Sequence, residues 1–433
     1  MTIAVRPRSL VFLALACLLV VLPAGLARAA PGHLDTTFGG DGRVITNIGK
    51  RIDAPEDVAI QANGKIVAVG RASTPRGSIR FALARYRTNG SLDPTFGGDG
   101  LVFIDFAGRP NAAFGVAIQQ DGKIVAVGDV QVTAGVQRFA VARIDRDGTL
   151  DTTFGGNGKV TTGFTGGEDG ARDVAIQADG RIVAVGTSDL GEFALARYDI
   201  DGKLDPTFDG DGRVTTALTA TGLDAANGVA IDADQRIVVA GTGGNGSFAL
   251  ARYDSHGTLD ATFDGDGKVR TNFTGGVDTA DAVAIQADGK IVAAGEAGFL
   301  GEWTGDFGLA RYTTDGTLDA TFDGDGKVIT RFTRDDDSAS DVAIQADGKI
   351  VAAGSAGYNG AAARFALVRY RWDGSLDTSF GGNGRATTRF SKGFDFARGL
   401  AIQLDRKIVV AGSTFGEIDG IDAKFALARY LAG

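Results

Sequence analysis

Short apolar runs separated by glycine-containing pairs dominate the chain, and the same order of runs returns along its length. VAIQ (from Val58) and KIVAVG (from Lys65) flank Asn63-Gly64, and FALARY follows from Phe81. A second turn, such as Asn89-Gly90 or Asp147-Gly148, leads through LD-x-TF into a short segment like GRVIT. β-Branched runs joined by Asn-Gly or Asp-Gly signal hairpins, because the favoured two-residue turn needs positive φ at both central residues. Nothing in the unit has helical periodicity. Each unit therefore predicts four short antiparallel strands.

The unit occurs seven times. Its LD aspartates are Asp35, Asp93, Asp151, Asp205, Asp260, Asp319 and Asp377, at intervals of 58, 58, 54, 55, 59 and 58 residues. Four strands repeated at this period suit a propeller blade. A β-helix needs a much shorter rung, and a large sandwich would not repeat so closely. The expected fold is all-β, a single seven-bladed β-propeller over residues 31–433. The chain ends refine this picture. Leu34–Asn47 is a fourth-strand segment without a blade, and the last unit stops just after its third strand, Phe425–Tyr430. Pairing Arg43–Asn47 beside Phe425–Tyr430 would close the ring and remove an exposed sheet edge.

Residues 1–30 differ from the rest. Arg6 and Arg8 precede an apolar run, Leu10–Leu22, and Ala27-Arg28-Ala29 offers small residues for cleavage, the layout of a secretory signal peptide. Arg6 and Arg8 are not adjacent, which disfavours the twin-arginine route. The one cysteine, Cys17, lies inside that run, and Ala14 three residues before it disfavours a lipid anchor. The expectation is a secreted or periplasmic protein, without a disulfide or reactive thiol in the mature chain. No later stretch is long and apolar enough to span a bilayer. The net charge of −9 disfavours nucleic acid as a partner, since that needs clustered basic surface.

The run VAIQ-x-DGKIV-x-G, then FALARY, then DG-x-LD-x-TF-x-G-x-G resembles the delta-60 repeat family of bacterial exported and surface proteins. The resemblance covers residues 34–430 and implies a β-propeller-like array. It carries no established activity and no catalytic residues.

Residues that recur in every copy are expected to be scaffold. Fourteen of the 26 phenylalanines occupy two repeat positions, typified by Phe38 and Phe81, and read as core between blades. The strand arginines Arg85, Arg143, Arg197, Arg252, Arg311, Arg369 and Arg429 are expected to pair with the LD aspartates. Asp209 and Asp211, Asp264 and Asp266, and Asp323 and Asp325 in FDGDG are candidate calcium ligands. Two acids per loop make an incomplete set, and turn chemistry explains them as well. Asp53, Asn111, Asp169, Asp224, Asp278, Asp337 and Asp395 read as loop-shaping groups, with an acidic channel mouth as the alternative.

Symmetry breaks at Glu56, Phe114, Arg172, Asn227, Asp281, Ser340 and Arg398, placed two residues before the first strand, and in the second-to-third-strand loops holding Trp303, Tyr358 and Phe415. Loops on a rigid scaffold are where binding usually resides. This loop-rich face is the expected ligand surface, with Glu56, Phe114, Arg172, Asp281, Arg398, Trp303 and Tyr358 as candidate contacts. No catalytic motif is present, and no cofactor is expected beyond the calcium candidates. The preferred function is a monomeric, non-enzymatic binding propeller for a protein or glycan. The alternatives are a hydrolase or lyase using acids at the channel mouth, and a structural envelope or matrix component.

Overall fold

The computed structural model describes residues 30–433 except 50, 75–76, 165, 221–222, 245, 300–303, 359–361 and 417–421. Residues 1–29 of the expected signal peptide (1–30), and Trp303, lie outside the described residues. The described residues form seven four-stranded antiparallel sheets and no helix. The first strands lie innermost and side by side around a central channel: Asp53–Ile60, Asn111–Ile118, Gly170–Ile176, Ala225–Ile231, Gly275–Ile285, Asp337–Ile344 and Asp395–Ile402. These define blades 1 to 7.

The last blade is completed by the N-terminal strand. Arg43, Val44, Ile45 and Thr46 pair with Ala428, Leu427, Ala426 and Phe425. Asp35 on the incoming segment binds Arg429 at 2.9 Å, so the predicted seam is present.

Second and third strands read as continuous apolar runs because neighbouring blades cover both of their faces. The core divides into seven clusters, one per blade junction. The seam has the same make-up as the rest: Phe38, Val58 and Ile66 meet Val409, Phe425 and Leu427. Both phenylalanine positions are fully buried in every blade.

The expected arginine pairs form throughout, with Nε to carboxylate distances of 2.6–2.9 Å. Each guanidinium lies 4.6–4.8 Å from the ring of the phenylalanine after LD-x-T (LD-x-S in one copy). Its Nη1 donates to a carbonyl of the next blade, as Arg85 does to Arg146 and Arg429 to Thr88. One side chain thus ties its own turn to its neighbour's. Burial alone would raise the Asp93 carboxyl, but hydrogen bonds from Lys65 and Thr95 and the Arg85 charge hold it well below the usual range.

Candidate functional site

All seven inner strands carry a β-bulge at the same place. In blade 1 the pairing passes from Pro55↔Gly70 to Asp57↔Val69 and leaves Glu56 unpaired. The equivalent unpaired residues are Phe114, Arg172, Asn227, Asp281, Ser340 and Arg398. A bulge re-aims the side chain of its extra residue. Here all seven line one central cavity of about 660 Å³.

This corrects their expected position. They do not precede the strand on a loop; each strand starts three residues earlier (two in blades 3 and 4, six in blade 5), and the bulge hides that start by breaking the period-two alternation. Tyr358 is 55% exposed, packs its ring 5.3 Å from that of Phe396, and is not part of the channel lining. Phe415 also packs against Phe396, edge-on at 5.7 Å. The structure therefore separates the channel residues from the aromatic rim, which sequence reading had put on one face.

The residues that follow the bulges, here called the neck, are Asp57, Gly115, Asp173, Gly228, Ala282, Asp341 and Gly399, and Asp57, Asp173, Ala282 and Asp341 line the same cavity. Each aspartate bridges to the next blade. Asp57 accepts from the backbone N–H of Val58 (2.6 Å) and Val116 (2.8 Å). Asp173 does the same with Val174 and Val229, and Asp341 with Val342 and Leu400. Glycines serve the junctions in between. A Cβ on Gly399 would stand 2.7 Å from Asp57 Cα, and one on Gly115 would stand 2.9 Å from Asp173 Cα. Bridge and close approach thus alternate around the ring. Seven being odd, the junction of blades 5 and 6 has neither, and there Ala282 carries a Cβ. Gly399→Ala should therefore force blades 7 and 1 apart and cost about 1–3 kcal/mol. Denaturant titration should show this loss, while Ala282→Gly should cost less than 1 kcal/mol, roughly the glycine entropy term.

The neck carboxylates are part-buried, and the donors they meet are backbone N–H groups. Burial pushes Asp57 well above the usual range, with the charges of Asp341 and Asp173 adding to it. Burial likewise raises Asp173 to about 6 and Asp341 to about 7 against their backbone hydrogen bonds.

Above the neck the charges are unevenly placed. Glu56 lies between Arg71 (3.6 Å) and Arg398 (3.7 Å). Burial raises Asp129, opposed by the charges of Arg172 and Arg71, and Arg172 stacks 4.4 Å from the Phe114 ring. On the far wall Asn227 Nδ2 donates to the Ala280 carbonyl at 2.9 Å and approaches Asp281 Oδ1 at 3.4 Å. Burial, with Glu296 adding and Arg398 opposing, raises Asp281 to about 7.

Sequence reading missed Arg71, Asp129 and the neck aspartates. A usable signal existed, since the residue after the glycine of KIVAVG varies from copy to copy: Arg71, Asp129, Thr187, Thr242, Glu296, Ser355, Ser413.

The other candidates make local backbone contacts. Asp53 accepts the Ile48 and Gly49 N–H groups, and Asp337 those of Phe332, Thr333 and Gly357, so these residues shape loops, as the Asx reading holds. In FDGDG, Asp209, Asp264 and Asp323 adopt φ of 49–50° and donate their N–H to the next blade. Asp211, Asp266 and Asp325 accept the N–H two residues on, from Arg213, Lys268 and Lys327. Among the described residues no group of three or more acidic, histidine or cysteine side chains is placed to hold a metal ion.

The family described as "Domain of unknown function (DUF5122) beta-propeller" matches residues 61–96, 119–154, 177–208, 233–263, 286–322 and 345–380. The chain is a tandem-repeat propeller. The six matches fall on the six uninterrupted copies, and the seventh copy is split between Gln403–Tyr430 and Leu34–Phe38. No curated protein matches the sequence. Similar solved structures include a protein of unknown function from Dyadobacter fermentans (12% identity, TM-score 0.48, 90% of this chain and 98% of that one). A polysaccharide lyase aligns at 10% identity and TM-score 0.47 over 88% and 90% of the two chains. A gluconolactonase from Xanthomonas campestris aligns at 12% and 0.39 over 89% and 99%. At such values these likenesses carry no argument about what the propeller does.

Proposed function

We propose that this is an exported binding propeller that takes a small polar ligand in its channel mouth. One observation carries the reading: seven equivalent bulges bring seven side chains of six different kinds, with arginine alone occurring twice, into one cavity. Scaffold needs would repeat around the ring, as the arginine staples do; six residue types at one convergent position suit a specific ligand. A cavity of about 660 Å³ falls in the small-molecule range of about 300–1,000 Å³ and is too narrow for a folded partner. The signal-peptide layout and the likeness to delta-60 repeats of exported proteins support export.

Thermal-shift screening of polar small molecules should find a ligand that stabilises the protein, by about 2.7 kcal/mol at a hundredfold excess over Kd. Ser340→Trp, which fills the channel, should abolish that response. A ligand that stabilises both forms equally would place binding elsewhere.

A second reading rests on Asp281. A carboxyl raised to about 7 is partly protonated at neutral pH, as a general acid must be, and Arg398 acts on it from the same cavity. If the propeller cleaves its ligand, Asp281→Asn should abolish turnover and retain binding.

A further inference from the structure

The three guanidiniums of the channel mouth differ from the seven that staple blades. Each staple arginine donates to a carboxylate, a hydroxyl or a carbonyl. Arg71, Arg172 and Arg398 donate no hydrogen bond to any described residue. The Glu56 carboxylate stands 3.6 and 3.7 Å from two of them, beyond hydrogen-bond length, and Arg71 Nε is buried without a partner. Arg172 is held by stacking on Phe114, which fixes its plane and leaves its N–H groups free. Guanidinium forks are shaped for the two oxygens of a carboxylate, sulfate or phosphate. These three are open to the channel, with the Arg71 and Arg398 side chains 41% and 51% exposed, so an incoming oxyanion can reach them.

The rest of the lining narrows the ligand further. The same cavity is lined by Asn227, Gln137, Ser338 and Ser340, which offer hydroxyl and amide donors and acceptors, and by the acids Asp129, Asp281 and the neck aspartates. Apolar surface is confined to Phe114, one face of which Arg172 covers, and Ala282. A fatty or aromatic acid would leave this polar wall unpaired, whereas a sugar acid presents hydroxyls along its whole length.

Resting on the channel-binding reading, we propose that Arg71, Arg172 and Arg398 form an oxyanion receptor and that the ligand is a carboxylated saccharide. Its carboxylate sits on the arginines and its hydroxyls on Asn227 and Ser340. The free sugar acid and the end of a uronate-bearing chain share this chemistry.

Calorimetric titration with galacturonate, galactose, a galacturonate trimer and inorganic sulfate tests the proposal. Galacturonate should bind about tenfold or more tighter than galactose, the worth of one charged hydrogen bond. Arg172→Gln and Arg398→Gln should remove that advantage, and Arg172→Lys, which keeps charge but loses the fork, should restore only part of it. A trimer tighter than the monomer would identify a chain end as the source, and equal affinities the free sugar acid. Equal binding of galactose and galacturonate, or glutamine variants that retain the preference, would overturn the oxyanion receptor and leave channel binding standing. Sulfate binding with neither sugar would overturn the saccharide assignment. No binding by any probe would overturn this inference, whereas the wider screen decides the channel reading. Unchanged circular dichroism and melting of the variants separates lost contacts from lost folding.

Discussion

Deleting residues 31–47 is expected to destabilise the propeller by on the order of 5 kcal/mol or more and to make it self-associate. The segment does more than add one short strand. Phe38 is fully buried at the junction of blades 7 and 1, and emptying such a site costs about 3–5 kcal/mol. Asp35 is the carboxylate partner of Arg429, and a buried arginine left unpaired costs about 3–5 kcal/mol. The two losses share one site and will not add fully. Without its N-terminal partner, Ala423–Tyr430 becomes an open edge, which invites pairing with another copy. Chemical denaturation and size-exclusion chromatography read both effects. An unchanged midpoint in a monomeric deletion variant would mean that the ring does not depend on this seam.

Stability should also rise as pH falls from 8 to about 5, contrary to the usual effect of protonating carboxylates. Asp341 is raised from the ordinary 3.8 to about 7, and Asp173 to about 6. The folded state therefore holds these protons more tightly than the unfolded state. Unfolding releases them between about pH 4 and 7, and stability falls as pH rises through that window. Raising the Asp341 carboxyl to about 7 corresponds to at most ~4 kcal/mol, which its partial exposure screens to about 2 kcal/mol. Below about pH 4 the sign reverses. Asp319, lowered to about 2 despite its burial by hydrogen bonds from Thr321 and Lys290 and by the Arg311 charge, then loses its contribution, as do Asp93 and Asp151. A stability maximum near pH 4–6 follows. Asp341→Asn should flatten the slope between pH 5 and 8 in denaturant titrations. An equal slope in that variant would remove the neck carboxylates as its cause.

What recurs was legible in the sequence. Seven copies of LD-x-[TS]-F and FALARY-like runs revealed the blade, the staple pair and the seam, because each feature was observed seven times over. The site was only half legible. Glu56, Phe114, Arg172, Asn227, Asp281, Ser340 and Arg398 were visible as the place where copies diverge. Their bulge was not, since a bulge inserts a residue without any residue type of its own. Read in strict alternation, Glu56 falls outside the strand; with the bulge it enters the channel. The neck was written in the sequence as Asp57, Gly115, Asp173, Gly228, Ala282, Asp341 and Gly399. Its meaning needs adjacency, since each aspartate bonds a backbone N–H more than fifty residues away. Arg71 was missed for a related reason: it lies on the second strand, and only the channel joins it to Glu56 and Arg398.

The aromatic rim of Tyr358, Phe394, Phe396 and Phe415 is the natural rival to the channel. Phe394 and Phe396 stack at 6.0 Å, and Tyr358 leaves a ring open to solvent. The two places differ in chemistry, one charged and concave, the other apolar and at the surface, so a bound ligand will distinguish them. The most direct measurement is a crystal structure of the protein soaked with the compound that stabilises it most in the thermal-shift screen. Ligand density is expected inside the channel, between Arg398 and Asn227 and beside the Asp57–Asp173–Asp341 neck. Density on the rim beside Tyr358, with the channel holding only solvent, would contradict it.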